Sequence, residues 1–220
     1  IIKALASKQK GLERKEILNL TNISDGGSFT KILNELESSG FITSISPLEN
    51  KKKDTLFRLT DEYSLFYLKF IENNKAKSWT RISQQQSYKI WIGYAFENLC
   101  LKHVKDILSA LDISGLEISI NSFLHRKNKS YPKGFQIDLL IDRKDDIINI
   151  CEMKFYNDEF NITSDYAKKL RTKREGLRTV LNTKKSIHII FISTYGLFEN
   201  QFSLDLVEND LTIDIFFNLN

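Results

Sequence analysis

Proline is nearly missing from this 220-residue chain, with two copies, and glycine is sparse, with nine. That scarcity excludes a disordered or linker-dominated chain, which would need those residues in quantity. The two cysteines, Cys100 and Cys151, lie in apolar stretches with no CxxC or Cys/His spacing. A zinc site is not expected from them, and two buried small hydrophobes are. The three histidines, His103, His125 and His188, are scattered, with no Ser or Cys partner pattern. His188 sits in an apolar strand pattern and reads as structural. Neither GxGxxG nor a P-loop is present, so the chain carries no nucleotide-binding motif of its own. No apolar run approaches the ~20 residues of a membrane span, and no signal peptide is visible. A cytoplasmic location is the expectation. The chain opens at Ile1 inside a helical pattern without an initiator Met, and is expected to be a piece of a longer polypeptide.

What is present is ordinary for a globular protein: 41% hydrophobic and 27% charged residues, enough to bury a core of real size. The net charge of +4 divides into +3 over residues 1–78 and +1 over 79–220. Bulk charge at that level neither demands nor excludes nucleic acid, so local clustering decides.

The first 75 residues alternate short helices with one hairpin. Ile1–Ser7 reads as the end of a helix and Leu12–Leu20 as a second. After the Ser24-Asp25-Gly26-Gly27 turn, Ser28 can cap a third helix to Ser39, stopped by Gly40. Phe41–Ser46 and Thr55–Leu59 then alternate as paired strands across Pro47–Asp54. Three helices followed by a two-stranded wing, with the segment LNELESSGFI (Leu33–Ile42), resemble the winged helix-turn-helix family. A third helix in a major groove would present Thr30, Lys31, Asn34 and Glu35. Only Lys31 among them is basic, and Glu35 and Glu37 repel phosphate. The wing run Lys51, Lys52 and Lys53 is the better phosphate-contacting candidate, with a solvated loop tip or protein–protein packing as the alternative.

Glu62–Ser87 stays helical, with Tyr63, Phe66, Tyr67 and Phe70 as an aromatic stripe expected in the core. The polar run Ser83–Ser87 marks the boundary, giving domains at 1–75 and 90–220 with a helical connector at 76–89. The second domain reads as a long helix over Ile90–Leu111, then strands at Ile118–Leu124, Gly134–Asp142 and Ile147–Lys154. A basic helix over Ser164–Leu181, a strand over Ser186–Ser193 and a last strand or short helix over Leu211–Phe217 follow. The continuous apolar run SIHIIFIS is that of a strand buried on both faces. The fold class is therefore α+β or α/β, with a mixed sheet flanked by helices.

One group of polar residues interrupts these apolar strands. Asp138 stands in GFQIDLLIDR, Glu152 and Lys154 in INICEMKFY, and Glu97 in GYAFENLC on the helix before them. Strand alternation puts Glu152 and Lys154 on one face, with Met153 on the other. Asp138 lies on the neighbouring strand, so a hairpin can bring its carboxylate beside that of Glu152. Hydrolysing a phosphodiester needs carboxylates that hold a hard divalent cation near the attacking water. Glu-x-Lys alone is common, and Glu13-Arg14-Lys15 is a decoy on a helix. The strand context separates the two, because a buried charge pair costs free energy without a metal or partner. A structural pair of Lys154 with Glu152 or Asp138 is the alternative.

With their order of elements, these residues resemble the PD-(D/E)xK nuclease core over residues 90–195. Ile137 stands where that motif has proline, a backbone preference rather than a ligand. The resemblance implies a restriction-endonuclease-like fold, Mg²⁺ or Mn²⁺ on Asp138, Glu152 and Glu97, and catalytic roles for those three with Lys154. Lys154 would position the water or stabilise phosphorane charge. Lys168, Lys169, Arg171, Lys173, Arg174 and Arg178 crowd the next helix. Lys169 and Lys173, one turn apart, are candidates to grip a phosphate, with Tyr166 beginning the same face. Arg126, Lys127, Lys129 and Lys133 would add to a basic rim, against the alternative of a solvated face.

A winged helix followed by QIDLLIDR…INICEMKFYNDEF (Gln136 to Phe160) resembles the C-terminal half of bacterial and archaeal AAA-type ATPases of the STAND/archaeal-ATPase group. That resemblance implies an upstream ATPase module, which alone would bind ATP, and a DNA-directed function. The expectation is a metal-dependent DNA endonuclease tethered to a winged helix; the rival is a catalytically silent regulatory, interaction or transcription-regulator module.

Overall fold

The computed structural model of the chain describes residues 1–8, 11–45, 55–72, 78–125, 127 and 131–217. It is a mixed α+β protein that divides into two compact units, Ile1–Asn98 and Leu99–Asn220.

The first unit opens with α1 (Ile2–Ala6), a two-residue strand β1 (Leu12–Glu13) and α2 (Arg14–Thr21). Glu16 starts α2 by accepting the Glu13 N–H at 2.8 Å, satisfying one donor that a helix start leaves without a partner. Next come α3 (Gly27–Ser38), β2 (Ile42–Ile45) and β3 (Leu56–Leu59). Gly40 ends α3 at φ 74, a left-handed conformation that glycine takes without strain. The strands form an antiparallel sheet in the order β1-β3-β2. Sequence pattern puts the start of α2 at Leu12, two residues early, because a two-residue strand is too short to show a period. Leu5, Leu12, Ile17, Phe29, Leu33, Ile42, Leu59 and Leu65 make the core.

Asp61 caps α4 (Glu62–Phe66), which runs on as a π-helical turn over Tyr67–Ile71. The aromatic stripe divides there. Phe66 and Phe70 pack with Trp91, while Tyr63 and Tyr67 are exposed. Two further helices follow, α5 (Trp79–Ser83) and α6 (Gln86–Lys102). The single helix expected over Ile90–Leu111 is interrupted at His103, whose φ of −107° and ψ of 31° leave the helical region. Its Nδ1 lies 2.8 Å from Asp106 Oδ2, and α7 (Val104–Ala110) begins one residue later.

The second unit is built on β4 (Ile118–His125), β5 (Phe135–Arg143), β6 (Ile147–Lys154), β7 (Ser186–Ser193) and β8 (Asn209–Thr212). They form one sheet in that order, antiparallel from β4 to β6 and parallel from β6 to β8. Between β6 and β7 runs α8 (Ser164–Leu181), and α9 (Gln201–Leu206) precedes β8. Ile189, Ile190, Phe191 and Ile192 are each at most 1% exposed, so β7 is covered on both faces, as its apolar run implies. A 3₁₀ turn, Ile213–Phe216, follows β8. Cys100 and Cys151 are buried free thiols, and burial pushes the Cys151 thiol up to about 12.

Candidate active site

Glu152 stands near the end of β6 and is only 6% exposed. Its two oxygens have different partners. Oε1 accepts a hydrogen bond from the Tyr166 hydroxyl of α8 and lies 3.1 Å from Lys154 Nζ. Oε2 accepts from Lys173 Nζ of α8 at 2.6 Å. Burial alone drives the Glu152 pKa upward. The charges of Lys173 and Lys154, with hydrogen bonds from Lys173 and Tyr166, outweigh that and bring it down to about 2. The carboxylate is therefore ionised at neutral pH although it is shielded from water.

Local sequence explains how α8 delivers these groups. Thr163 caps the helix by accepting the Tyr166 N–H. Tyr166 and Lys173 are two turns apart on one face. Phe160 and Phe191 flank the Tyr166 ring, at centroid distances of 5.0 and 6.5 Å. Farther along, a Cβ on Gly176 would stand 2.6 Å from Phe135 Cε1, so only glycine lets the helix approach β5 this closely. Lys169 lies between Tyr166 and Lys173 on that face and is exposed.

Asp138 sits at an irregularity in β5. Asn121 pairs with Leu140 and Phe123 with Ile137, so Asp138 and Leu139 together stand opposite Ser122 alone. This is a β-bulge, a device that re-aims a side chain and is common beside functional sites. The β5–β6 ladder runs from Asp142↔Ile148 to Leu139↔Cys151, which makes Asp138 the first residue beyond it, next to Glu152 in register. Its Oδ1 accepts from Gln136 Nε2 at 2.8 Å.

The remaining candidates are distributed differently. Glu97 belongs to α6 in the first unit, where its Oε2 lies 3.2 Å from the buried guanidinium of Arg58. Lys31 is exposed on α3, 3.8 Å from Glu35. Lys127 and Lys133 are exposed, whereas Lys51, Lys52, Lys53, Arg126 and Lys129 lie outside the described residues. In α8, Lys168 and Arg171 pair with Asp165 and Asp205. The sequence pattern assigns Lys173 to phosphate, and its contact with Glu152 has no local signal beyond a shared helix face with Tyr166.

Among the described residues no group of three or more His, Cys, Asp or Glu side chains is arranged to hold a metal ion. The donor chemistry of Asp138 and Glu152 nevertheless suits Mg²⁺. That ion is characteristically bound by one or two carboxylates, with water and substrate phosphate completing its shell. No protein-family model, curated protein or solved structure matches this chain.

Proposed function

We propose that the chain is a DNA-directed module whose second unit hydrolyses phosphodiesters with Mg²⁺ or Mn²⁺. In this reading the first unit is a winged helix, the second a PD-(D/E)xK-type domain, and the pair is the C-terminal part of a larger ATPase. The observation that carries it is Glu152: a carboxylate 6% exposed yet held ionised, with two lysines drawn to it. Removing several charges from water for structure alone is unfavourable, since packed apolar residues serve as well or better. Perturbed groups of this kind cluster at functional sites. The bulge at Asp138 and the order α1-β1-α2-α3-β2-β3 support the reading.

Asp138 and Glu152 are the residues that would hold the cation, which when bound supplies Lewis acidity toward the phosphate and a more acidic water. Tyr166 fixes Glu152 through Oε1. Lys154 supplies a fixed positive charge toward the oxygens that gain charge in the transition state. Lys169, with Lys173, grips the phosphate backbone and sets its position without reading sequence.

A second reading is favoured by one observation: both oxygens of Glu152 are already engaged. There the site is a closed ion-pair network in a catalytically silent regulatory module. Incubating the chain with single- and double-stranded DNA in Mg²⁺ or Mn²⁺ separates the two. Hydrolysis that disappears in Glu152→Gln supports the enzyme; no cleavage and no Mn²⁺ binding by the folded protein supports the silent module.

A further inference from the structure

We propose that Lys173 is the resident counter-ion of this site, and that a nucleic-acid phosphate opens Glu152 to a divalent cation by drawing the Lys173 ammonium away. The inference rests on the phosphodiester-hydrolysing reading above and adds a control to it: cation loading and nucleic-acid binding become one coupled event.

The two oxygens of Glu152 differ in how firmly they are held. Oε1 is anchored twice, by Tyr166, whose ring is lodged between Phe160 and Phe191, and by Lys154, two residues along the same strand. Oε2 receives Lys173, two turns beyond Tyr166 on the same helix, at 2.6 Å. A divalent cation and an ammonium cannot share that oxygen without strong like-charge repulsion. Lys173 therefore occupies the position that a cation bound at Oε2 would need.

Lys173 is also placed to leave. Its side chain is 23% exposed, against 35% for that of Lys154, so both reach partly into solvent. It is a compact charge on a flexible four-carbon stem, and its departure breaks no bidentate geometry of the kind an arginine would make. One turn earlier, Lys169 is exposed on the same helix face. A phosphate bound at Lys169 thus lies within reach of Lys173. Transfer of the ammonium from carboxylate to phosphate leaves every charge paired: Lys173 on the phosphate, Glu152 on the incoming cation. Linkage requires the effect to be reciprocal, so phosphate strengthens cation binding by the factor by which the cation strengthens phosphate binding. The acidic site is kept from collecting metal in the absence of nucleic acid.

The test is Mn²⁺ binding to the full chain, followed by electron paramagnetic resonance with and without a short phosphorothioate DNA duplex. Wild type should bind Mn²⁺ weakly alone and about tenfold or more tightly with the duplex, within the usual range of coupling between sites. Lys173→Met keeps the apolar stem and removes the charge. It should bind Mn²⁺ about tenfold more tightly than wild type without DNA, and gain little from the duplex. Lys173→Arg keeps the charge and should stay as weak as wild type. Equal Mn²⁺ affinity of Lys173→Met and wild type overturns the proposal while leaving a metal site intact. Should Lys173→Met not fold, the wild-type comparison decides alone: no tightening by the duplex overturns the proposal. Absence of Mn²⁺ binding in every protein and condition removes the phosphodiester-hydrolysing reading itself, and this one with it.

Discussion

Each unit holds a shielded glutamate against a cation, and the two do it with different chemistry. In the first unit Glu97 meets Arg58, whose side chain is 5% exposed and lies 5.6 Å over the Tyr94 ring. Guanidinium is planar, permanently charged and suited to stacking, which makes a fixed pair. In the second unit Glu152 draws two lysines and a tyrosine, and both lysines keep a path to solvent. A shielded carboxylate does not by itself mark a site. The two glutamates differ in the number of counter-ions and in how far those are exposed: Arg58 at 5%, Lys173 at 23% and Lys154 at 35%.

The contrast is most sharply broken by cleavage measurements. Glu152→Ala should reduce Mg²⁺-supported DNA hydrolysis to background, and Glu97→Gln should lower metal affinity far less than Glu152→Gln. If the two glutamine variants lose metal binding equally, the distinction between the glutamates is wrong. Stability should order them the other way. Arg58→Ala leaves Glu97 without its buried cation and is expected to cost about 3–5 kcal/mol in urea unfolding. Glu152→Gln should cost less, about 2–3 kcal/mol, because the partly exposed Lys154 and Lys173 can turn to water.

Gly176→Val tests the helix that brings the lysine. Its side chain would collide with Phe135 and Tyr131, for an expected loss of about 1–3 kcal/mol, visible as a lower Tm. Acid titration gives a smaller signal with a definite sign. The Glu152 pKa lies at about 2 in the folded chain against 4.5 ordinarily. Its ionisation therefore stabilises the fold fully above pH 4.5, and that contribution is lost as pH falls through about 2. Unfolding curves of wild type and Glu152→Gln should converge over that interval; curves that stay parallel would show that the carboxylate is not held down by its lysines. The least effect belongs to Lys169→Met, which should weaken DNA binding evenly across sequences and reduce the salt slope by about one.

Much of the site's acidic half is legible in the amino-acid sequence. Glu152 and Lys154 stand out as charges ending an apolar strand, and β6 contains both. The boundaries of α8 and β7 follow from the helical period and an unbroken apolar run. The features that sequence hides are tertiary. Lys173 reaches Glu152 across 21 residues, and Arg58 reaches Glu97 across 39; no local pattern encodes either meeting. The bulge at Asp138 depends on how β4 pairs, and GFQIDLLIDR reads as a plain strand without it. The last strand begins at Asn209, ahead of the Leu211 that its apolar pattern suggests, because Asn and Asp are poor strand formers and pairing with β7 overrides that preference.

The short connection between β5 and β6 has a kinetic meaning. Residues 144–146, with Asp146 left-handed at φ 62, are all that separate the two strands. Closing so short a loop costs little entropy, and contacts local in sequence form early. The expected order is that hairpin zipping brings Asp138 and Glu152 alongside first, with Tyr166 and Lys173 arriving when α8 docks. In that order the acidic half of the site would hold Lys154, from its own strand, before Lys173 arrives. The closing of α8 is then a neutralisation step as well as a packing step, and the driving force for docking that helix includes the charge already waiting on β6.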